Sequence, residues 1–241
     1  MMYGSFPTEM LANITEFFES EDTRSPGEDS YQEVFDTPDF FPLQRKRELE
    51  RMMQIGRSIV PKVVMEIGAD KGGGLYHWCK SFTSVKRVIA CEFRGTPYKD
   101  LFEAALPHLD FLWIEDSSYK EETVERVQKW LGDDKINCLF IDGDKNHFHT
   151  DFDRYLPSMS KPGIVFMHDV NDLGTSTRKS FKDVASRGYR TEEVIDIDES
   201  IAAEQREMRH FPATNSYEGW LRYWKGRSCG VGIIYLDEET K

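Results

Sequence analysis

Short apolar runs, each too brief to make a helix, recur along the middle of the chain. Val63-Val64-Met65, Arg87 to Phe93 (RVIACEF), Phe111-Leu112-Trp113-Ile114, Ile136 to Ile141 (INCLFI) and Ile164 to Met167 stand between polar, turn-forming or charged stretches. Continuous apolarity over so few residues marks a strand covered on both faces, as in a parallel sheet. The segments between predict helices: Leu75 to Lys80, Asp100 to Leu106, Glu121 to Leu131, and one running through Tyr155. Strand and helix in alternation give an α/β domain. Upstream, Phe40, Phe41 and Leu43 lead into a helix that reaches about Arg57, with Leu49, Met52, Met53 and Ile55 in loose period; Pro61 ends that segment.

The two ends of the chain differ from this middle. Residues 1–39 read as an N-terminal arm, with a short helix allowed at Met10 to Phe18 and an acidic, turn-rich stretch from Glu19 to Asp36. After the run at Ile136, Pro162-Gly163 reads as a turn into the Ile164 strand. Asn171 to Gly174 reads as a loop, Thr177 to Ala185 as a helix, and Glu193 to Ile197 as a strand. A polar, aromatic, lid-like insertion at 198–227 separates that strand from a last one, Gly230 to Leu236. Its His210, Phe211, Tyr217, Trp220, Tyr223 and Trp224 have two readings, a roof over an acceptor pocket or packing on a core or subunit partner.

Composition narrows the partners. The chain has 241 residues and a formal net charge of -12, which argues against a nucleic-acid partner, since such proteins present a basic face. No run is long and apolar enough to predict a membrane span, and MMYGSFPTEM lacks the basic-then-apolar order of a secretory signal. Cys79, Cys91, Cys138 and Cys229 lie far apart with no C-x-x-C pair, and Cys138 sits in an apolar run. A reduced, cytoplasmic protein is the expectation. Whether it pairs into a homodimer is open.

The stretch from Lys62 to Gly74, KVVMEIGADKGGG, sets a glycine turn directly after the first strand. Glycines there let backbone N–H groups approach a nucleotide-like ligand, because no Cβ stands in the way. A dinucleotide turn wants G-x-G-x-x-G, and Gly68-Ala69-Asp70 fails at the second glycine. The pattern E-x-G-x-x-x-G-G, formed by Glu66, Gly68, Gly72 and Gly73, resembles motif I of the class I S-adenosylmethionine-dependent methyltransferases; a tight turn in an ordinary α/β protein is the alternative. Glu92 follows Gly68 by 24 residues, room for one helix and a return strand. That places its carboxylate beside the turn, where it can accept hydrogen bonds from both hydroxyls of a ribose. A solvent-exposed acid at a strand end is the other reading. In the resembled fold the third strand ends near the adenine, which makes Asp116 and Ser117 candidates; the same residues are equally suited to capping the helix from Glu121.

Two more strand ends carry acids. INCLFI opens into Asp142-Gly143-Asp144-Lys145-Asn146-His147-Phe148, and the Ile164 strand ends in His168-Asp169. Adjacent strands thus bring Asp142, His168 and Asp169 to one rim, where converging oxygens suit a hard divalent cation. IDGDKNHF resembles the Asp-x-Asp-Lys segment of the cation-dependent O-methyltransferases of the catechol and caffeoyl-CoA type. The resemblance implies that Asp142 binds metal, foremost magnesium, and that Lys145 is the base toward an acceptor hydroxyl; a surface salt bridge from Lys145 to Asp144 or Asp142 is the other reading. His168 and Asp169 stand where that family has Asp and Asn. The segment also resembles the cephalosporin-hydroxylase-like methyltransferases, with D-G-D-H, a later Asp matching Asp153, and a strand ending in His-Asp; there Lys145 replaces His, and His147 or His149 becomes an alternative base.

These resemblances imply a Rossmann-like class I methyltransferase fold over residues 40–241, a mainly parallel seven-stranded sheet closed by an antiparallel C-terminal hairpin. S-adenosylmethionine would lie on Glu66, Gly68, Gly72, Gly73, Glu92, Asp116, Ser117 and Asp142. The expected reaction is metal-assisted methylation of a small-molecule hydroxyl. A non-catalytic S-adenosylmethionine-binding domain and a nucleotide-dependent oxidoreductase are the rivals, the second disfavoured by the missing G-x-G-x-x-G.

Overall fold

The first strand, β1 (Val63–Ile67), is buried at every position, and its side chains alternate between two cores. Val64 joins one core; Val63, Met65 and Ile67 join the other. In this computed structural model the described residues are Gln44, 46–171, 176–195 and 230–237. The expected arm, the insertion at 198–227 with its aromatic residues, and Cys229 lie outside them.

Helix α1 (Lys46–Ser58) precedes β1, and α2 (Gly73–Ser81), β2 (Arg87–Cys91), α3 (Lys99–Ala105), β3 (Asp110–Ile114) and α4 (Glu121–Leu131) follow it. Then come β4 (Ile136–Ile141), α5 (Phe148–Tyr155), a 3-10 turn, β5 (Met159–His168), α6 (Ser176–Ser186), β6 (Arg190–Val194) and β7 (Val231–Leu236). The seven strands are ordered β3-β2-β1-β4-β5-β7-β6. β1 to β5 run parallel, and β7 lies antiparallel to both β5 and β6, so the expected hairpin closes the sheet.

Helices cover both faces. α1, α2 and α3 bury Leu49, Met52, Leu75, Trp78 and Phe102 against the Val64 face, while α4, α5 and α6 bury Val127, Phe152, Tyr155 and Phe181 against the Met65 face. Trp78 is the hub of the first core, with its ring 5.6 Å from Phe166 and 6.1 Å from Phe140. Side chains of this size each contribute about 1.5–3 kcal/mol on burial, so the layers hold the strand ends in fixed relation. Cys79, Cys91 and Cys138 are buried free thiols within these cores.

Three expected boundaries move. β2 stops at Cys91, leaving Phe93 69% exposed beyond the sheet. Pro162-Gly163 does not turn into a new strand: β5 already pairs with Ile136 at Met159, and the ladder resumes at Cys138 and Ile164 past a bulge. Proline donates nothing to a ladder, so a bulge is where a strand tolerates it. β6 begins at Arg190 rather than Glu193, because this edge strand (RTEEV) carries no apolar run. Among the described residues no helix is long and apolar enough to cross a membrane.

The strand order reverses between β1 and β4. In an open α/β sheet, ligands bind in the crevice outside the strand ends at such a point.

Candidate active site

The reversal brings the glycine turn and the acidic rim into contact. Gly68 adopts φ +86, and a Cβ there would stand 2.5 Å from the Asp142 carbonyl oxygen. Only glycine allows both the left-handed backbone and that approach. The Asp142 N–H also donates to the Ile67 carbonyl at 2.8 Å. Asp70 (φ 45) and Gly72 (φ 94) carry the turn into α2, for which Gly72 is the N-cap and Gly73 the first residue.

Glu92 stands where the spacing puts it. Its Oε2 accepts the Asp70 N–H at 3.1 Å and its Oε1 the Arg94 N–H at 3.2 Å. The carboxylate therefore faces the glycine turn, half-buried. Glu66 lies within β1 and is sealed beneath α2: a Cβ on Gly74 would come 2.4 Å from its Oε1. Burial holds its carboxyl well above the usual range, the Asp142 charge adds to this, and the Trp78 indole opposes it.

At the end of β3, Asp116 accepts the Ser117 N–H at 2.7 Å and the Lys120 ammonium at 2.6 Å. The Lys120 contact, with the Ser117 N–H, holds its carboxyl below the usual range. Neither Asp116 nor Ser117 caps α4; Lys120 occupies the N-cap. The capping alternative falls, because three turn residues intervene before the helix.

The rim after β4 and β5 is a compact charged cluster. Single ligand atoms of Asp142, His168 and Asp169 lie within 4.8 Å of one another. His168 Nδ1 is 3.1 Å from Asp142 Oδ1 and 3.5 Å from Asp169 Oδ1. The Lys145 ammonium lies between the acids, 2.5 Å from Asp142 Oδ1 and 2.5 Å from Asp169 Oδ2. Burial alone would raise the Asp142 carboxyl, but His168 and Lys145 outweigh it and hold it far below the ordinary range. Burial would likewise lower both cations; the carboxylates reverse this, keeping Lys145 above its usual value and bringing His168 up to about 10.

His147 is drawn to the neighbouring loop. Its ring stacks on Tyr119 at 3.8 Å, and Nδ1 lies 3.0 Å from Asp144 Oδ2. His149 is exposed, its Nε2 3.4 Å from Thr150 Oγ1. Asp153 of α5 pairs with Arg187, the residue just past the end of α6.

Two residues of the cluster escape a reading of the sequence. Gln44 donates its Nε2 to Asp142 Oδ2 at 3.2 Å. Glu48, fully buried on α1, holds the Gly230 N–H at 2.9 Å and lies 3.8 Å from His168 Nε2. The available signal was an acid next to Leu49 and four residues before Met52, on the apolar face of its helix.

No protein-family model matches the chain, and no curated protein matches it in sequence. Solved structures match over nearly its whole length. The O-methyltransferase from Bacillus cereus in complex with SAH is 11% identical, with a TM-score of 0.55 over 98% of this chain and 93% of that one. Cofactor-bound Rv0187 from MTB is 11% identical, with a TM-score of 0.56 over 98% of this chain and 100% of that one. A candidate caffeoyl-CoA O-methyltransferase from Staphylococcus aureus is 14% identical, with a TM-score of 0.55 over 94% and 98%. At such identities the likeness is one of architecture, and it agrees with the strand order and the hairpin described above: the chain has the Rossmann-like fold of the class I S-adenosylmethionine-dependent methyltransferases.

Proposed function

We propose that this protein is an S-adenosylmethionine-dependent methyltransferase that methylates a hydroxyl of a small-molecule acceptor with the help of a divalent cation. One observation carries the reading: Gly68 packs against the Asp142 backbone, so a cofactor turn and a cation-type rim form a single edge. A non-catalytic domain would need the first feature and not the second.

Glu92 would hold the ribose, with the turn from Gly68 to Gly73 admitting the methionine end. Asp116 and Ser117 are the candidates at the adenine end, where the Lys120 contact already orients Asp116. The donor set fits a cation: two carboxylates and an imidazole on one rim, with the Glu48 carboxylate 3.8 Å from the far nitrogen of the imidazole. Oxygen donors suit magnesium, and His168 makes manganese competitive. Bound there, a cation supplies Lewis acidity that makes an acceptor hydroxyl easier to deprotonate. The residues themselves position the acceptor oxygen and manage its proton. Lys145 is the candidate base, with His147 the alternative from the loop held by Tyr119 and Asp144.

Calorimetry with S-adenosylhomocysteine, S-adenosylmethionine and NAD on one sample tests the assignment. S-adenosylhomocysteine should bind and NAD should not. Glu92→Ala should weaken S-adenosylhomocysteine by roughly tenfold or more, the loss of a bidentate charge-assisted contact, with an unchanged melting profile. Unchanged affinity would remove Glu92 from the site, and binding of NAD alone would favour the oxidoreductase reading.

A further inference from the structure

Resting on the reading of Asp142, His168 and Asp169 as cation ligands, we infer that Lys145 and the divalent cation are alternative occupants of one site, so that cation binding expels the lysine from the two carboxylates. Lys145 Nζ is 2.5 Å from Asp142 Oδ1 and 2.5 Å from Asp169 Oδ2. A hard cation binds carboxylate oxygen at about 2.0–2.6 Å, so its centre on these oxygens would fall where the ammonium stands. The other edges of the two acids are engaged: Asp142 Oδ2 accepts from Gln44, and Asp169 Oδ1 faces His168. Two positive centres do not share such a space.

The chain is built for the exchange. Lys145 is three residues from Asp142 on the same loop, and its stem is flexible, so departure requires new rotamers and no change of fold. The face of Phe148, 5.1 Å from Nζ, offers the displaced ammonium a nearby partner. In the cation-free site the two carboxylates hold the lysine, and a bound cation would take them over and release it.

Titration with Mn2+, followed by the electron paramagnetic resonance of the free ion, tests the exchange in the wild type, Lys145→Met, Lys145→Gln and Asp142→Asn. Circular dichroism confirms that each is folded. Both lysine variants should bind Mn2+ roughly tenfold tighter than wild type or better, since a competing ion pair is gone, and Asp142→Asn should lose the ion. Equal, weaker or absent binding in both folded lysine variants overturns the proposal. S-adenosylhomocysteine affinity on the same samples separates the two levels: if it is retained while the Mn2+ pattern fails, only the exchange is wrong, and if it is absent the methyltransferase reading fails too.

Discussion

Asp151 shows how much one buried side chain decides. It lies in the first turn of α5, fully buried, and burial pushes its carboxyl up to about 7, with Ser118 and His147 opposing and Asp144 adding to the rise. The folded value lies above the unfolded one, so between about pH 4 and pH 7 the native state holds a proton that the unfolded chain has lost. Stability must fall as pH rises through that window. Asp151→Asn keeps the shape and removes the titration. Urea unfolding at pH 5 and pH 8 should show the wild type losing on the order of 1–3 kcal/mol more than the variant; parallel losses would place the titration elsewhere. Asp151 and Glu48 were both illegible in sequence for one reason. An acid in an amphipathic helix reads as solvated until the neighbouring layer is known, whereas Asp142, Glu92 and Asp169 stood at the ends of apolar runs and were visible as rim residues.

At the scale of elements, the fully covered strands could be read and the edge could not. β1 and β4 announce themselves by apolar runs interrupted only by Glu66 and Asn137, and α4 matched its expected bounds of Glu121 and Leu131. β6 (RTEEV) is charged and has no buried position, so nothing but pairing with β7 defines it. The bulge in β5 was read as a turn because Pro162-Gly163 carries the same local signal in either setting. The joint between β1 and β4 is the element with the sharpest test. Gly68→Ala meets both a left-handed backbone and the Asp142 carbonyl, while Gly132, at φ +60, has nothing within 4 Å of an added Cβ. Gly132→Ala should lose only the backbone strain, about 1–3 kcal/mol. Gly68→Ala should lose clearly more in denaturant unfolding, and S-adenosylhomocysteine affinity should fall with it. Similar losses at the two sites would mean that the strand ends yield to admit the methyl group.

Across the whole molecule, two cores on opposite faces of one sheet keep three thiols from solvent. Cys79 and Cys138 belong to the face covered by α1 to α3, and Cys91 to the other, where burial pushes its thiol up to about 12. An alkylating reagent needs a reachable thiolate, so its reaction with any of these positions counts openings of the native structure. The positions are not equivalent. Cys138 belongs to the central strand, whereas Cys91 is the last residue of β2 and its carbonyl takes the Gly68 N–H at 2.8 Å. Local fraying of the glycine turn should expose Cys91 while Cys138 waits for global unfolding. In a Cys229→Ser background, pulse alkylation read by mass spectrometry should therefore modify Cys91 faster than Cys138. Saturating S-adenosylhomocysteine should bring the faster rate down toward the slower. A Cys91 rate indifferent to that ligand would separate the turn from the cofactor. Through these cysteines the protein carries its own clock for the opening of its cofactor edge.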